Sequence, residues 1–306
     1  MPGTVVYRPD LVDGIMTQDR LNSYQVVFAP RDDIELFGAY LWNGHVCSCF
    51  HPLITAVEVA LRNSVDTALA GAVNPFWWQR PHLRYLSYST TGVVPHAVKC
   101  VKENFAKANN NVRRDKMDRY GVRNCTPSRS EIVAKTEFST WEFIFDPEFN
   151  GPGLFWPAHL GKVFRGDWGH LTTSQLLMRV RVLIEIVRKF RNRASHHEPI
   201  WKKFGVASAP DAMRHLHERI DEFKELISLI HPEKLKLLQV NGVLSALERA
   251  CSLDELRYFQ HQGATHKVNS VLRLREITKT CVLNNARAKI VVRVNGRPRK
   301  IQLGPA

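Results

Sequence analysis

The chain has 306 residues, 44% hydrophobic and 24% charged, enough apolar material for a sizeable core and a second small domain, which excludes disordered and fibrous classes. Against 29 Asp and Glu stand 43 Lys and Arg, a formal charge of +14 that points to a polyanionic partner, nucleic acid first and an anionic membrane surface second. The most apolar stretch, residues 176–187, is broken by Arg179, Arg181 and Glu185, so no membrane span is expected. The opening MPGTVVYRPDLVDG lacks the basic-then-apolar layout of a secretory leader, and a cytoplasmic protein is expected. The six cysteines, at 47, 49, 100, 125, 251 and 281, form no CxxC or zinc-type spacing and read as reduced and mostly structural.

In chain order the elements are mostly helical. Leu53, Val57, Ala60, Leu61, Val65 and Leu69 recur at three- and four-residue steps, predicting an amphipathic helix that ends near Gly71. Asn74, Pro75, Trp77 and Trp78 follow as a loop with an aromatic anchor. From Thr172 or Thr173 as N-cap, a helix carries Leu176, Val180, Leu183, Ile184, Val187 and Phe190, and Pro199 limits it to about Glu198. Ser208, Pro210 and Asp211 open another, through Leu216, Ile220, Phe223, Leu226, Ile227 and Ile230, which Pro232 closes. A short helix through Leu244 and Leu247 is next, then one opened by a Ser252/Glu255 capping box and ended by Gly263. KIVVRV, the dipeptide Asn295-Gly296 and RPRKIQL predict a β-hairpin, because Asn-Gly accepts the positive φ angles of a tight turn; Pro298 puts its strand at an edge.

The charge is unevenly placed. Residues 267–300 hold ten basic side chains against one acidic, Glu276. The basic stretch 99–135 is diluted by Asp115, Asp118 and Glu131 and reads as a solvated face. A third cluster is short: Arg188, Lys189, Arg191, Arg193, Lys202 and Lys203. The resulting division is a lead over 1–19, a helical domain over 20–231 and a basic α+β region over 232–306.

Residues 187–201, VRKFRNRASHHEPIW, carry the candidate chemistry. At about 100° per residue from Val180, Leu183, Ile184, Val187, Phe190 and Ala194 share one face, while Val182 and Ile186 make a second apolar side. Arg181, Glu185, Arg188, Lys189, Asn192 and His196 share a polar strip left open to a cleft or partner. Arg191 falls at about 20°, on the apolar face, and must be paired there or stand at the helix end beside a cleft. A bond to a core carboxylate, Glu58 or Asp66, and a catalytic use both satisfy that demand. His196 and His197 suit either a helix C-terminus or a catalytic site. His196, His197 and Glu198 are poor joint metal ligands, since successive helical side chains diverge by about 100°.

Arg191-Asn192-x-x-x-His196 resembles the R-N-x3-H signature of HEPN ribonucleases, and FRNRASHHEPI resembles their Abi-like (AbiF/AbiD) abortive-infection branch. LNSYQVVF, DDIELFGAYLWN, HPLITAVEVALRNSVDTAL, NPFWW, STWEFIF and FWPAHLGKVF resemble the elements preceding that family's catalytic helix, so the likeness spans about residues 20–230. It implies a mainly α fold, a HEPN-type helical bundle followed by the small basic α+β extension. Catalytic roles fall on Arg191, Asn192 and His196, with His197 as helper or substitute. Arg62-Asn63 has Thr67 where a histidine is required and is not a second copy.

The resemblance further implies a homodimer with a composite site and cleavage of RNA by its own 2′-hydroxyl, leaving a 2′,3′-cyclic phosphate, without metal or other cofactor. An imidazole titrating near neutrality suits the proton transfers, and a guanidinium fork suits the phosphorane. Arg188, Lys189, Arg193, Lys202 and Lys203 would hold the RNA backbone beside the site, and Arg293, Arg297, Arg299 and Lys300 in the tail. The alternative is a protein that holds a structured noncoding, antitoxin-like RNA without cutting, with Tyr258 and Phe259 stacking on bases or packed in a core. A DNA-binding regulator ranks last, since no helix-turn-helix is evident.

Overall fold

A computed structural model describes residues 16–89, 92–262 and 265–305. Residues 1–15 of the expected lead, and Gly263 as a helix terminator, lie outside the described residues. The protein is mainly helical, with a small three-stranded sheet near its C-terminus. It forms two compact units interleaved along the sequence, one from residues 16–53, 193–221 and 238–305 and the other from 54–192 and 222–237. The division at 232 follows composition along the chain, whereas these units follow packing, which gathers distant segments.

Helix α1 is Gln18–Phe28 and α2 is Asp33–Ala72. Trp42, Val46, Phe50, Leu53, Val57, Leu61, Val65 and Leu69 are fully buried along α2, a stripe at three- and four-residue steps. The helix therefore starts well before Leu53, passing through Pro52. A mid-helix proline costs about 3 kcal/mol. Burying Trp42, Val46 and Phe50 upstream, at roughly 2 kcal/mol each, holds the helix across it. By length and composition alone α2 is also long and apolar enough to cross a membrane. A buried core helix passes the same test, and α2 buries Trp42, Val46, Phe50, Leu53 and Val57.

In the first unit, Tyr24, Phe28, Trp42 and Trp201 form an aromatic knot. Phe28 meets Trp201 at 4.7 Å and Trp42 at 5.5 Å, both edge to face. Trp42 Nε1 donates to the Ala250 carbonyl at 2.8 Å. The strands are β1 (Thr265–Lys267), β2 (Ala288–Val294) and β3 (Arg297–Leu303), with β1 parallel and β3 antiparallel to β2. Asn295 and Gly296 both have positive φ at the β2–β3 turn, and Pro298 lies on an edge strand, as the sequence predicts. A helix over Val271–Leu283 packs Ile277 and Cys281 on Ile290, Val292 and Leu303.

In the second unit, Trp78 stacks on Phe105 at 4.3 Å and Trp156 on Phe145 at 4.7 Å, while Trp77 Nε1 donates to Asp66 at 3.1 Å. The basic stretch forms helices α3 (His96–Tyr120) and α4 (Arg129–Lys135). Its cations meet carboxylates of the same unit: Lys116 with Glu131, Lys135 with Asp115 and Arg129 with Asp66.

Gly166 donates its N–H to the Leu229 carbonyl at 2.9 Å, and a Cβ there would lie 2.1 Å from the Ser228 carbonyl oxygen. Gly166→Ala must push two backbones apart, and a stability loss of about 3 kcal/mol or more is expected from this overpacking. Urea unfolding checks it; a loss under about 1 kcal/mol would show that the crossing is loose.

Candidate functional site

The helix bearing the motif, α7 hereafter for its place after the short helices Phe138–Phe143 (α5) and Leu160–Val163 (α6), spans Thr173–Ser195. Thr172 caps it reciprocally with Gln175: the Gln175 N–H donates to Thr172 Oγ1 at 3.3 Å, and the Thr172 N–H to Gln175 Oε1 at 2.9 Å. Leu176, Val180, Leu183, Ile184, Val187 and Phe190 are buried as predicted.

The other faces differ from the helical-wheel expectation. Val182 is 46% exposed and Met178 61%, so the second apolar side is not covered. On the polar strip Arg181 reaches Asp146 at 3.4 Å, Arg188 is paired with Glu142 and Lys189 meets Glu185 at 2.5 Å, while Lys189 and His196 stay exposed. A wheel gives the direction of a side chain and says nothing of which neighbour waits there. Glu142 lies within the short α5 and Asp146 just beyond it.

Arg191 is paired: its Nη2 lies 3.9 Å from Glu58 Oε1, and its Nη1 donates to Asn192 Oδ1 at 3.3 Å. Asp66, the other candidate partner, holds Arg129 and Trp77. The Arg191 side chain is 39% exposed, so the guanidinium stands at the boundary of the core and not within it. At 3.9 Å with half-open partners the pair contributes at most about 1 kcal/mol, and a phosphate oxyanion can compete for the same fork.

Beyond Asn192 the chain enters the first unit, and the helix stops three residues short of the limit set by Pro199. The His197 N–H donates to the Ala194 carbonyl at 3.2 Å and the Glu198 N–H to the Arg193 carbonyl at 2.9 Å, the bond pattern of a Schellman cap. His197 takes the left-handed position with φ 56°, where glycine is usual and a β-carbon costs about 1 kcal/mol or more. His196 is the residue just beyond the helix. Both imidazoles are exposed.

Two side chains lock this turn. Asn43, 5% exposed, donates to the Glu198 carbonyl at 3.3 Å and accepts from the Ile200 N–H at 3.1 Å. Arg193 donates to the Lys202 carbonyl at 2.5 Å and to the Pro199 carbonyl, and its Nε lies 3.3 Å from Glu198. Its guanidinium is thus a clamp on the strap over residues 198–202. Lys202 is exposed, and Lys203 lies 3.6 Å from Glu218. In the sequence Asn43 ends the run DDIELFGAYLWN with no role of its own. Its signal is that of a polar residue beside a buried tryptophan, where burial demands satisfied hydrogen bonds.

In the tail, Arg293, Arg297, Arg299 and Lys300 are exposed at the hairpin end of the sheet. The register pairs Lys267 with Val291, Val291 with Lys300, and Arg293 with Pro298, so Lys267, Arg293 and Lys300 share the face opposite Ile290. Tyr258 is used in packing: its hydroxyl donates to Gln302 at 2.7 Å and Lys289 Nζ lies 4.4 Å over its ring. Phe259 stacks on His45 at 5.2 Å. Among the described residues no three His, Cys, Asp or Glu side chains converge as a metal site would require. All six cysteines are free thiols. Neither known protein families, nor curated proteins, nor solved structures match this chain.

Proposed function

We propose that the chain is an endoribonuclease of the Abi-like HEPN type, acting as the toxin of an abortive-infection or toxin–antitoxin defence system. The observation that carries this is the end of α7: Arg191 and Asn192 in its last turn, then two exposed histidines on a turn that Asn43 and Arg193 pin at both ends. The strap clamped by Asn43 and Arg193 fixes where the two histidines stand, the preorganisation a site uses.

In the mechanism, His196 takes the proton from the 2′-hydroxyl as that oxygen attacks phosphorus, and a protonated imidazole returns one to the leaving 5′-oxygen. Arg191, turned from Glu58, binds the non-bridging oxygens of the phosphorane. Asn192 holds the guanidinium through the contact seen at 3.3 Å, and His197 assists. A two-fold homodimer faces two such turns, so that His196 of one protomer meets the partner's Arg191. The reaction needs no metal or cofactor, and the protein works in the cytoplasm without a membrane partner.

The test is cleavage of single-stranded RNA by purified protein in excess EDTA, with the ends analysed. Cyclic phosphate products are expected. Strict dependence on added divalent metal would sink the mechanism. A second reading, retention of a noncoding antitoxin-like RNA without cleavage, is favoured by the exposed cations of the tail sheet. RNase-sensitive nucleic acid copurifying with a protein that fails the cleavage assay would select it.

A further inference from the structure

Glu255 was expected to close a capping box with Ser252. Only half of that box forms: Ser252 Oγ accepts from the Glu255 N–H at 3.1 Å, while the Glu255 carboxylate turns inward. Its side chain is 1% exposed, with Oε1 lying 3.3 Å from His45 Nε2 and 3.2 Å from Arg287 Nη1. A carboxylate buried this deeply needs partners, and the partner it orients is an imidazole.

His45 lies one helical turn before Cys49 on α2. The Cys49 sulfur is 3.8 Å from Nε2 and 3.9 Å from Nδ1, within the reach of a sulfur hydrogen bond. One face of the imidazole is covered by Phe259 at 5.2 Å. The thiol and the carboxylate together hold the imidazolium, raising His45 to about 9. Cys49 also lines a cavity of about 580 Å³ whose other walls include Pro52, Val240, Gly242, Val243 and Ala246. The walls are mostly apolar. Gly242 and Val243 also begin the helix Val243–Ala250, whose first amides carry the positive end of its dipole.

We propose that Cys49, His45 and Glu255 form a nucleophilic thiol site that takes a short apolar acyl group from an activated ester or thioester. With the Cys49 proton resting on His45, sulfur attacks the acyl carbon to form a C–S bond. The carbonyl electron pair moves to oxygen and returns as the bond to the leaving alkoxide or thiolate breaks. That leaving group takes the proton from His45, leaving Cys49 as an S-acyl thioester. Glu255 is a positioning residue that holds the ring. The cavity accommodates the acyl chain.

The chain contains its own controls. His96 and Cys100 repeat the one-turn spacing, at 3.5 and 3.8 Å. That thiol is pushed up by burial, as are Cys281, Cys251 and Cys47, the last to about 11. Cys125 is partly exposed.

The test treats the full chain with p-nitrophenyl butyrate and with a butyryl thioester, following nitrophenolate release and mapping S-butyryl peptides. A burst of about one equivalent per chain is expected at Cys49, lost in Cys49→Ala. His45→Ala should slow it by about 10²-fold, with partial rescue by added imidazole. Glu255→Gln should slow it too, and Glu255→Asp should recover part of the rate. RNA cleavage should be unchanged in Cys49→Ala. Acylation of Cys49 no faster than of Cys100 or Cys125, or a rate indifferent to His45→Ala in a protein that still melts cooperatively, would overturn the proposal.

Discussion

His196→Ala is expected to lower RNA cleavage by about 10²- to 10⁴-fold with no change in the urea midpoint, because the imidazole is exposed and lies beyond the last helical residue. Arg191→Ala should give a loss of similar size, and Arg191→Lys should not restore it, since an ammonium cannot offer the paired donors of a guanidinium. The competing use of Arg191, as a bond to the Glu58 carboxylate at 3.9 Å, makes an opposite forecast. There, Glu58→Gln would cost as much activity as Arg191→Ala. If the fork instead serves phosphate, Glu58→Gln frees it and cleavage is retained or raised.

The two single variants also test the composite site. When each phosphate needs Arg191 from one protomer and His196 from its partner, a mixed dimer of Arg191→Ala and His196→Ala still holds one complete pair. Co-expression or refolding of the two inactive proteins should then recover a measurable part of wild-type cleavage. No recovery in a mixture shown to contain the mixed dimer would mean that both groups act within one protomer, or that the residues do not form a site.

How far the chain could be read in advance depended on the kind of information each element needs. The buried face of α7, its Thr172 cap and the Asn295-Gly296 hairpin are local: spacing and turn chemistry suffice for them. The upstream half of α2 was missed because Pro52 looks like a boundary, and only burial of Trp42 and Phe50 shows why the helix continues. The division into two interleaved units was out of reach for the same reason.

Pairing is the other kind of non-local fact. Arg193 looked like a cation for RNA and is a clamp on carbonyls of residues 199 and 202; Arg188 looked the same and meets Glu142. Glu255 carried a true capping signal through its backbone, yet its carboxylate went to His45. Charge type and spacing are legible in a sequence, but the partner that fixes a charge is brought in from tens of residues away.

The larger share of the +14 charge therefore has to be sought where cations remain displayed, and that is the tail. Arg293, Arg297, Arg299 and Lys300 are exposed side chains on adjacent antiparallel strands, with Arg293 and Lys300 on the sheet face that Lys267 shares. Arg297 and Arg299 share the face of Ile290 yet are exposed, and the core of Ile277, Cys281 and Ile290 includes none of the four cations, so neutralising them leaves it intact. Each phosphate contact on a single strand adds about 0.7 to the slope of log affinity against log salt. Replacing all four by Gln is thus expected to reduce that slope by up to about 3 and to weaken binding of a single-stranded RNA by several hundred-fold, at the most, near 0.1 M salt. Fluorescence anisotropy over a salt series with a catalytically dead His196→Ala background reads both quantities. The turnover of the cleavage-competent protein on short RNA should fall far less, because the α7 turn is untouched. An unchanged slope would move the RNA contact away from the hairpin, and equal losses in binding and turnover would mean that the tail also places RNA for cutting.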